Sequence, residues 1–287
     1  MTFVKGLPKI KIHPILYLFI IISLLTGTFT ELTIILALVL FHELGHYAMA
    51  SSLNWRIRGI MLWVFGGVMD TDEHGTKPIK EEILVTLAGP SQHIIVYLML
   101  FLLSTFHLAP ASVLEIAFYY NSTIFLFNLL PIWPLDGGKL LFLVFSARMP
   151  YKQAHQSIIL VSIGLTFAII AVQLLFFPFT LSALFIMVFI FLENRTEWKQ
   201  RYYIFIRFLL NRYEGISSVQ MIQPIKASAN STFMDVFSYF KREKKHPIYI
   251  TYPDERRIVI DENDCLRSYF YDDQHNQTIG EAFRYHE

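Results

Sequence analysis

Residues 32–53 read LTIILALVLFHELGHYAMASSL, an apolar stretch as long as a membrane-spanning helix, with ionisable side chains near its middle. His42 and His46 are four residues apart, so a helix would place both imidazoles on one face, within reach of a single metal ion. Glu43 lies between them, close enough to exchange a proton with a molecule at that ion. Ionisable groups inside a bilayer are energetically costly and are mostly kept for function. This stretch therefore predicts a membrane helix that carries a chemical site.

The composition predicts a membrane domain followed by a soluble one. The 287 residues are 54% hydrophobic and only 16% charged, whereas soluble domains carry about 25% charged residues. Between residues 83 and 192 the charged side chains are few: Glu115, Asp136, Lys139, Arg148 and Lys152. We expect an intramembrane domain over residues 1–192, an interfacial linker helix over 193–215 and a cytoplasmic domain over 216–287.

The overall charge and the single cysteine bear on two kinds of interaction. A net charge of +1 argues neither for nor against an anionic partner, and no direct nucleic-acid binding is expected. Cys265 has no second cysteine to pair with in this chain, so no intramolecular disulfide can form. Its sequence surroundings lack the features of a nucleophile and favour an inert thiol.

Six apolar segments are candidates for membrane helices and define an all-α, polytopic domain. They cover residues 15–29, 32–53, 83–106, 116–145, 157–177 and 179–192. The fourth is interrupted near Pro131 and Pro134. Lys and Arg concentrate before the first segment, between the second and third, between the fourth and fifth, and after the sixth. Because cytoplasmic loops carry the excess of positive charge, both termini are predicted to be cytoplasmic.

Asp136 is the predicted third metal ligand, because catalytic zinc usually has three protein ligands. His46 precedes Trp55 by nine residues, about 14 Å of helix, and Asp136 precedes Arg148 by twelve, about 18 Å. In the predicted topology both side chains therefore fall in the cytoplasmic half of the membrane. The alternative is that Asp136 only pairs with Lys139 near the membrane interface.

The segment around Asp136, residues 128–138, reads NLLPIWPLDGG. Its two prolines and two glycines prevent an undisturbed helix. Non-helical backbone at membrane depth is tolerated where it lines a wet cavity, which a hydrolase needs for its water. We predict that His42, His46 and Asp136 hold zinc and that Glu43 passes the water proton to the leaving amine. Pro134 is a candidate substrate contact in the same segment.

Two other classes of function fit the pattern less well. A metal-ion transporter with a regulatory domain would explain His42, His46 and Asp136, but it would not require Glu43 between the histidines. A structural scaffold with a degenerate site would not retain all three ligands and the base. The pattern favours a zinc protease that cuts within the membrane.

The two motifs together resemble the site-2 protease family of intramembrane metalloproteases, which has H-E-x-x-H in one membrane helix and N-x-x-P-x-x-x-x-D-G in a later one. The matching positions are His42, Glu43, His46, Asn128, Pro131, Asp136 and Gly137. This resemblance implies zinc, peptide-bond hydrolysis and substrates that are membrane-associated regulatory proteins.

Further stretches resemble the members of that family that act in sporulation. They are residues 65–67, 73–75, 88–93 and 131–143, together with the tail. This likeness implies removal of the pro-sequence from the precursor of a late mother-cell sigma factor. It also implies inhibitory membrane partners and a place in the mother-cell membrane around the forespore.

Other candidate site residues flank the motifs. Residues 59–68 are apolar but too short to cross, and Gly66 and Gly67 interrupt them. They could form a re-entrant hairpin whose strand edge binds an extended substrate, or a surface loop without substrate contact. Asn128 could hydrogen-bond the substrate backbone or the oxyanion, or it could bridge two helices. For His93 a role in helix packing is favoured over metal ligation.

The tail alternates helix-like and strand-like segments. A helix is predicted over residues 231–242, strands over 246–250 and 256–260, and a short helix from Ile279 onward. This resembles a CBS (cystathionine-β-synthase-type) domain, a small α/β module that often binds adenine nucleotides and acts in pairs. The resemblance implies ATP binding, with Asp261 or Asp264 as the ribose contact, and a homo-oligomer. The alternative is a docking surface for a soluble substrate.

Overall fold

The computed structural model describes residues 9–63, 66–71, 73, 75–176, 180–272 and 274–284. Phe65 and His74, which belong to the resembling stretches, and the helix ends predicted at Phe177 and Phe179 lie outside these residues.

The described residues form the following helices and strands, each kind numbered along the chain. The helices are α1 (Pro14–Thr26), α2 (Phe29–Ser52), α3 (Ile79–Thr105), α4 (Ala111–Asn128), α5 (Asp136–Arg148), α6 (Tyr151–Phe176), α7 (Leu181–Tyr213), α8 (Phe233–Phe237), α9 (Glu262–Phe270) and α10 (Ile279–Ala282). The strands are β1 (Ile10–Ile12), β2 (Ile57–Trp63), β3 (Gly66–Thr71), β4 (Val219–Ile222), β5 (Ile225–Ser228), β6 (Glu243–Lys245), β7 (Ile248–Thr251) and β8 (Arg257–Ile260).

The chain divides into two compact units. The first comprises Met1–His74, Lys80–Leu140 and Val172–Phe189. The second comprises Gly75–Ile79, Leu141–Ala171 and Ile190–Glu287.

Three helices of the described chain, α2, α3 and α6, are long and apolar enough to cross a membrane. On α3, Leu98 and Phe101 are 60% and 66% exposed. Apolar side chains turned outward along such a helix are suited to contact with lipid. The break predicted within residues 116–145 is confirmed, because α4 ends at Asn128 and α5 begins at Asp136.

The sixth predicted span and the predicted linker helix are not separate elements. They form the single helix α7, which runs from Leu181 to Tyr213. The change from apolar to charged residues near Glu193 does not end the helix. No proline or glycine occurs between Leu181 and Tyr213, so nothing in the backbone interrupts the hydrogen-bond ladder.

A three-stranded sheet belongs to the first unit. Its order is β1-β2-β3, with β1 parallel to β2 and β2 antiparallel to β3. The predicted hairpin in residues 59–68 is therefore present, whereas β1 was not predicted. Gly59 permits the close approach of β1, because a β-carbon there would lie 2.5 Å from the carbonyl oxygen of Lys9.

The core of the first unit joins this sheet to helices α1, α2 and α3. One cluster consists of Leu16, Val39, Ile60 and Leu62. A second consists of Ala50, Trp55, Met69 and Val85. A third consists of Leu38, Val96 and Leu100. Helix α2 contributes to all three clusters, so the core packs against the part of the helix that carries the two histidines.

The tail contains two small sheets, β4-β6 and β5-β7-β8. The strands predicted at 246–250 and 256–260 and the helix predicted from Ile279 are confirmed. The helix predicted over 231–242 is shorter, because the chain leaves the helix after Phe237 and then forms β6. The side chains of Phe237 and Phe240 are fully buried in the tail, and this tertiary burial outweighs the local helical pattern. Strands β4, β5 and β6 and helix α9 were not predicted.

A buried ion pair joins the end of α7 to the tail. Arg212 binds the carboxylate of Glu262 through Nε and through Nη2, the latter at 2.9 Å. The amide of His246 donates to the same carboxylate at 2.7 Å. Burial acts to raise the pKa of Glu262, but the bonds from His246 and Arg212 outweigh it and hold that pKa below its usual value.

The tail also binds the loop that precedes α3. Ser218 N donates to Thr76 O at 3.1 Å, and Ile79 N donates to the Glu243 carboxylate at 2.7 Å. Glu243 therefore places a negative charge at the positive end of α3 and satisfies one of its unpaired backbone donors. Its backbone adopts a left-handed φ of 57°.

Candidate active site

His42, His46 and Asp136 converge at one buried point. Nε2 of His42 lies 3.1 Å from Nε2 of His46. Oδ2 of Asp136 lies 3.0 Å from the first of these atoms and 3.2 Å from the second. The three residues are 4%, 5% and 3% exposed. They are a group that could hold a metal ion, so the structure brings the predicted ligands together.

Two glycines allow Asp136 to reach this point. A β-carbon on Gly137 would overlap the carbonyl oxygens of Leu129 and Leu130. A β-carbon on Gly138 would lie 2.5 Å from the amide nitrogen of Trp133. The first turn of α5 is therefore pressed against the preceding loop, as only glycine permits. Asp136, at the first position of α5, is held in place by this packing.

A backbone carbonyl group determines which ring nitrogen of His46 carries the proton. Nδ1 of His46 lies 2.7 Å from the carbonyl oxygen of Val85 on α3. A carbonyl oxygen only accepts hydrogen bonds, so Nδ1 carries the proton and Nε2 of the neutral ring has a lone pair. That lone pair faces the carboxylate of Asp136, an arrangement that a cation between them would satisfy.

The dimensions of the site fit zinc. Zinc–nitrogen and zinc–oxygen bonds of about 2.0–2.1 Å in a tetrahedron put neighbouring ligand atoms about 3.3 Å apart. The three observed separations, 3.0, 3.1 and 3.2 Å, are close to that value. Gly89 on α3 leaves the necessary space, because a β-carbon there would overlap His46 and lie 2.7 Å from Nε2 of His42.

The side chain of Glu43 packs against strand β3. The residue is buried, with 5% of its surface exposed. A β-carbon on Gly67 would overlap Cγ of Glu43 and lie 2.7 Å from its carboxyl carbon. The predicted base and the predicted hairpin are thus in direct contact, and glycine is required at the point where they meet.

Lys139 forms a hydrogen bond with the second carboxylate oxygen of Asp136. Its Nζ donates to Oδ1 at 3.1 Å, while Oδ2 faces the two histidines. The two interpretations of Asp136, metal ligand and partner of Lys139, are therefore compatible. The ammonium group also balances the carboxylate charge in a buried site.

The remaining predicted site residues have other surroundings. Asn128 donates from Nδ2 to Ile124 O at 3.1 Å, a bond within its own helix. Gly66 begins β3 with a φ of 143°. Asp261 caps α9 by accepting from Asn263 N and pairs with Lys245 at 2.6 Å. Asp264 lies exposed on α9.

Sequence reasoning missed the contributions of α3 to the site. Gly89 gives the histidines room, Val85 orients His46, and His93 lies 3.1 Å from Nδ1 of His42. A glycine inside an apolar helix, followed four residues later by a histidine, was the available signal. It could have indicated a helix that packs closely against the two-histidine face.

Comparisons with known proteins agree with this geometry. The family model described as peptidase family M50 matches residues 30–109 and 104–171. Stage IV sporulation protein FB of Bacillus subtilis is 39% identical over 274 residues, 95% of each chain. A zinc metalloprotease of Methanocaldococcus jannaschii is 29% identical over 207 residues, 69% of this chain and 59% of that protein.

A solved structure shows the same fold. The site-2 protease from Methanocaldococcus jannaschii superimposes with a TM-score of 0.55 at 25% identity. The match covers 69% of this chain and 93% of the other.

The helical fold and the buried donor set define a membrane-embedded metallopeptidase. The chain belongs to peptidase family M50. It is a multi-pass membrane protein and an intramembrane zinc metalloprotease, whose substrates are proteins.

Proposed function

We propose that His42, His46 and Asp136 hold the catalytic zinc and that Glu43 is the general base of peptide hydrolysis. The observation that carries this proposal is the meeting of three acceptor atoms within 3.2 Å of one another. When bound, zinc supplies a Lewis acid that polarises the scissile carbonyl and makes water acidic near neutral pH. A metal transporter would not require the carboxylate of Glu43 beside these ligands.

The protein residues have distinct tasks in this reaction. Glu43, next to His42 in the sequence of α2, accepts the proton of the attacking water and delivers it to the leaving amine. Lys139 holds Oδ1 of Asp136, so that Oδ2 stays directed at the histidines. The surrounding helices keep the site buried, which strengthens each electrostatic interaction within it.

The proposed substrate-binding element is the re-entrant hairpin. Strand β3 is the last strand in the order β1-β2-β3, so its outer edge can pair with an extended peptide. Gly66 and Gly67 begin that strand, and Gly67 contacts Glu43. A peptide on this edge would pass beside the base. Asn128 and Pro134, from the interrupted segment, are proposed to contact the same peptide.

The proposed substrate is the precursor of a late mother-cell sigma factor, which loses its pro-sequence. Similarity to stage IV sporulation protein FB over 95% of both chains supports a role in sporulation. The corresponding location is the mother-cell membrane around the forespore, with inhibitory membrane proteins as partners. The proposed topology has six membrane helices and cytoplasmic termini.

The proposed domain division is an intramembrane domain over residues 1–192, an interfacial segment over 193–215 and a CBS-like domain over 216–287. The mixed α/β tail supports a CBS-like module, and pairing of such modules would make the protein a homo-oligomer. ATP binding, with Asp261 or Asp264 as the ribose contact, is part of the same proposal. Titration of the purified protein with ATP tests it, with Asp264→Ala as the variant because Asp261 also caps α9.

Co-expression with candidate sporulation precursors tests the proposed reaction. Wild-type protein should shorten the precursor, and Glu43→Gln should not, although both should contain zinc. Asp136→Asn should lose both zinc and cleavage. If Glu43→Gln still cleaves, Glu43 is not the base. If Asp136→Asn keeps its zinc, Asp136 is not a ligand.

A further inference from the structure

A line of buried hydrogen bonds leads from helix α4 through helix α3 to His42. Asn121, His93 and His42 are 0%, 1% and 4% exposed. Oδ1 of Asn121 lies 2.7 Å from Nδ1 of His93, and Nε2 of His93 lies 3.1 Å from Nδ1 of His42. His93 thus stands between a neutral amide and a proposed zinc ligand.

The backbone carbonyl of His93 decides which groups donate and which accept along this line of hydrogen bonds. It accepts a hydrogen bond from Nδ2 of Asn121 at 3.2 Å, which fixes the orientation of the amide. Oδ1 of Asn121 therefore faces the His93 ring and can only accept, so Nδ1 of His93 carries the proton. Nε2 of the neutral His93 ring then has a lone pair, and it accepts the hydrogen bond from Nδ1 of His42.

We infer that His93 and Asn121 are positioning residues that fix the tautomer of His42. With the proton on Nδ1, His42 presents the lone pair of Nε2 to the point where Oδ2 of Asp136 and Nε2 of His46 meet. The opposite tautomer would direct an N–H group at that point and prevent ligation there. The inference rests on the proposed ligand set.

The two histidines of α2 are oriented in different ways. His46 donates to the backbone oxygen of Val85. Substitution of the Val85 side chain leaves this acceptor in place. His42 depends on the side chains of His93 and Asn121. The affinity for zinc is therefore sensitive to residues that do not touch the ion.

Zinc affinity of the full-length protein, measured by competition with a chelator, tests the inference. His93→Leu removes the acceptor and should weaken zinc binding by about 10–100-fold. His93→Gln restores an oxygen acceptor at similar reach and should bind zinc within about threefold of the wild type. A His93→Leu variant with wild-type affinity would overturn the inference.

Tyr97→Phe is the matched control. Tyr97 lies one turn beyond His93 on α3 and donates to Ser122 Oγ on α4 at 2.8 Å. The substitution removes a hydrogen bond between the same two helices without touching the line to His42. Unchanged zinc affinity is expected. A loss equal to that of His93→Leu would show that helix packing, not the tautomer, is responsible, and the inference would be wrong.

Two further measurements separate this inference from the proposed ligand set. His46→Ala should lose zinc, and retention of zinc would contradict the ligand set itself. Nitrogen NMR of ¹⁵N-histidine-labelled, zinc-free protein reports the tautomer of His42 without any substitution along the line. A proton on Nδ1 supports the inference, and a proton on Nε2 refutes it even if the ligand set is correct.

Discussion

Lys139 donates a hydrogen bond to Oδ1 of Asp136 at 3.1 Å and leaves Oδ2 to the two histidines. One carboxylate is thereby held by an ammonium group on one side and directed at the proposed metal on the other. The residues are three positions apart at the start of α5, so the helix itself sets their spacing.

Substitution of Lys139 is expected to affect catalysis more than zinc content. In Lys139→Met the carboxylate of Asp136 can rotate, and we expect about a tenfold loss of cleavage rate. Zinc binding should change less, because loss of a nearby positive charge favours the cation while loss of orientation disfavours it. Cleavage assays and zinc analysis of the purified variant measure both effects.

Lys139→Arg is the control for this prediction, since it keeps the charge and a hydrogen-bond donor. It should recover most of the cleavage rate. Full activity of Lys139→Met would show that Gly137 and Gly138 hold Asp136 without help from Lys139.

Substitution of Gly67 should remove activity and leave zinc in place. A β-carbon at Gly67 overlaps Cγ of Glu43, so Gly67→Ala must displace either the base or strand β3. We expect at least about a 100-fold loss of cleavage, the lower end of what a general acid–base group contributes. Gly164→Ala, on α6 with nothing within 4 Å of the added carbon, is the control and should be fully active. Loss of zinc from Gly67→Ala would contradict the assignment of the effect to Glu43.

Substitution of Gly89 should remove zinc as well as activity. The added β-carbon overlaps His46 and crowds His42, so Gly89→Ala should lose zinc and cleavage together. Metal analysis after purification, compared with Gly67→Ala, separates a defect of the ligands from a defect of the base. Zinc at the wild-type level in Gly89→Ala would mean that the histidines can move away from the ion.

The tail should lose stability as the pH falls below about 6.5, the ordinary pKa of histidine. Burial lowers the pKa of His246 in the folded tail, and its Nε2 accepts a hydrogen bond from Lys241 N at 3.2 Å. The unfolded chain therefore binds a proton at a higher pH than the folded one, so acid favours unfolding. Glu262, whose pKa is also lowered, adds a further loss below its ordinary value of 4.5.

Hydrogen exchange of tail amides at several pH values measures this effect. His246→Gln keeps an acceptor for Lys241 N but cannot be protonated, so it should remove the loss that begins near pH 6.5. The loss at lower pH, from Glu262, should remain. Protection factors report stability once the pH dependence of intrinsic amide exchange is divided out. Equal protection factors of the wild-type tail at pH 7 and pH 5 would disprove the prediction.

Local sequence patterns were sufficient for the parts of the fold that depend on neighbours in the chain. The spacing of His42 and His46 fixed their common face, and Pro131 with Pro134 marked the break between α4 and α5. Strand β1 could not be predicted in this way, because its three residues are ordered by pairing with β2. The helix predicted over residues 231–242 was too long for the same reason, since Phe237 and Phe240 are drawn into the tail core.

The proposed ligands could be predicted because their chemistry is rare in a membrane, whereas their support could not. Asp136 was recognised as a charged residue at the depth of His46. The need for glycine at position 89 could not be predicted, because it appears only when α3 lies against the two histidines. His93 was recognised as a packing residue, but its partner Asn121 lies on another helix, 28 positions away.

The sequence by itself determined α2, α3 and α6 as helices long and apolar enough to cross a membrane, the two motifs and the class of chemistry. These depend on hydropathy, helical periodicity and the identity of ionisable groups. Only the tertiary structure decided which atoms face the proposed metal, that Gly67 meets Glu43, and which proton positions the buried bonds impose. The physical reason is that these properties are set by distances and hydrogen-bond directions between segments far apart in the chain, and no local pattern encodes them.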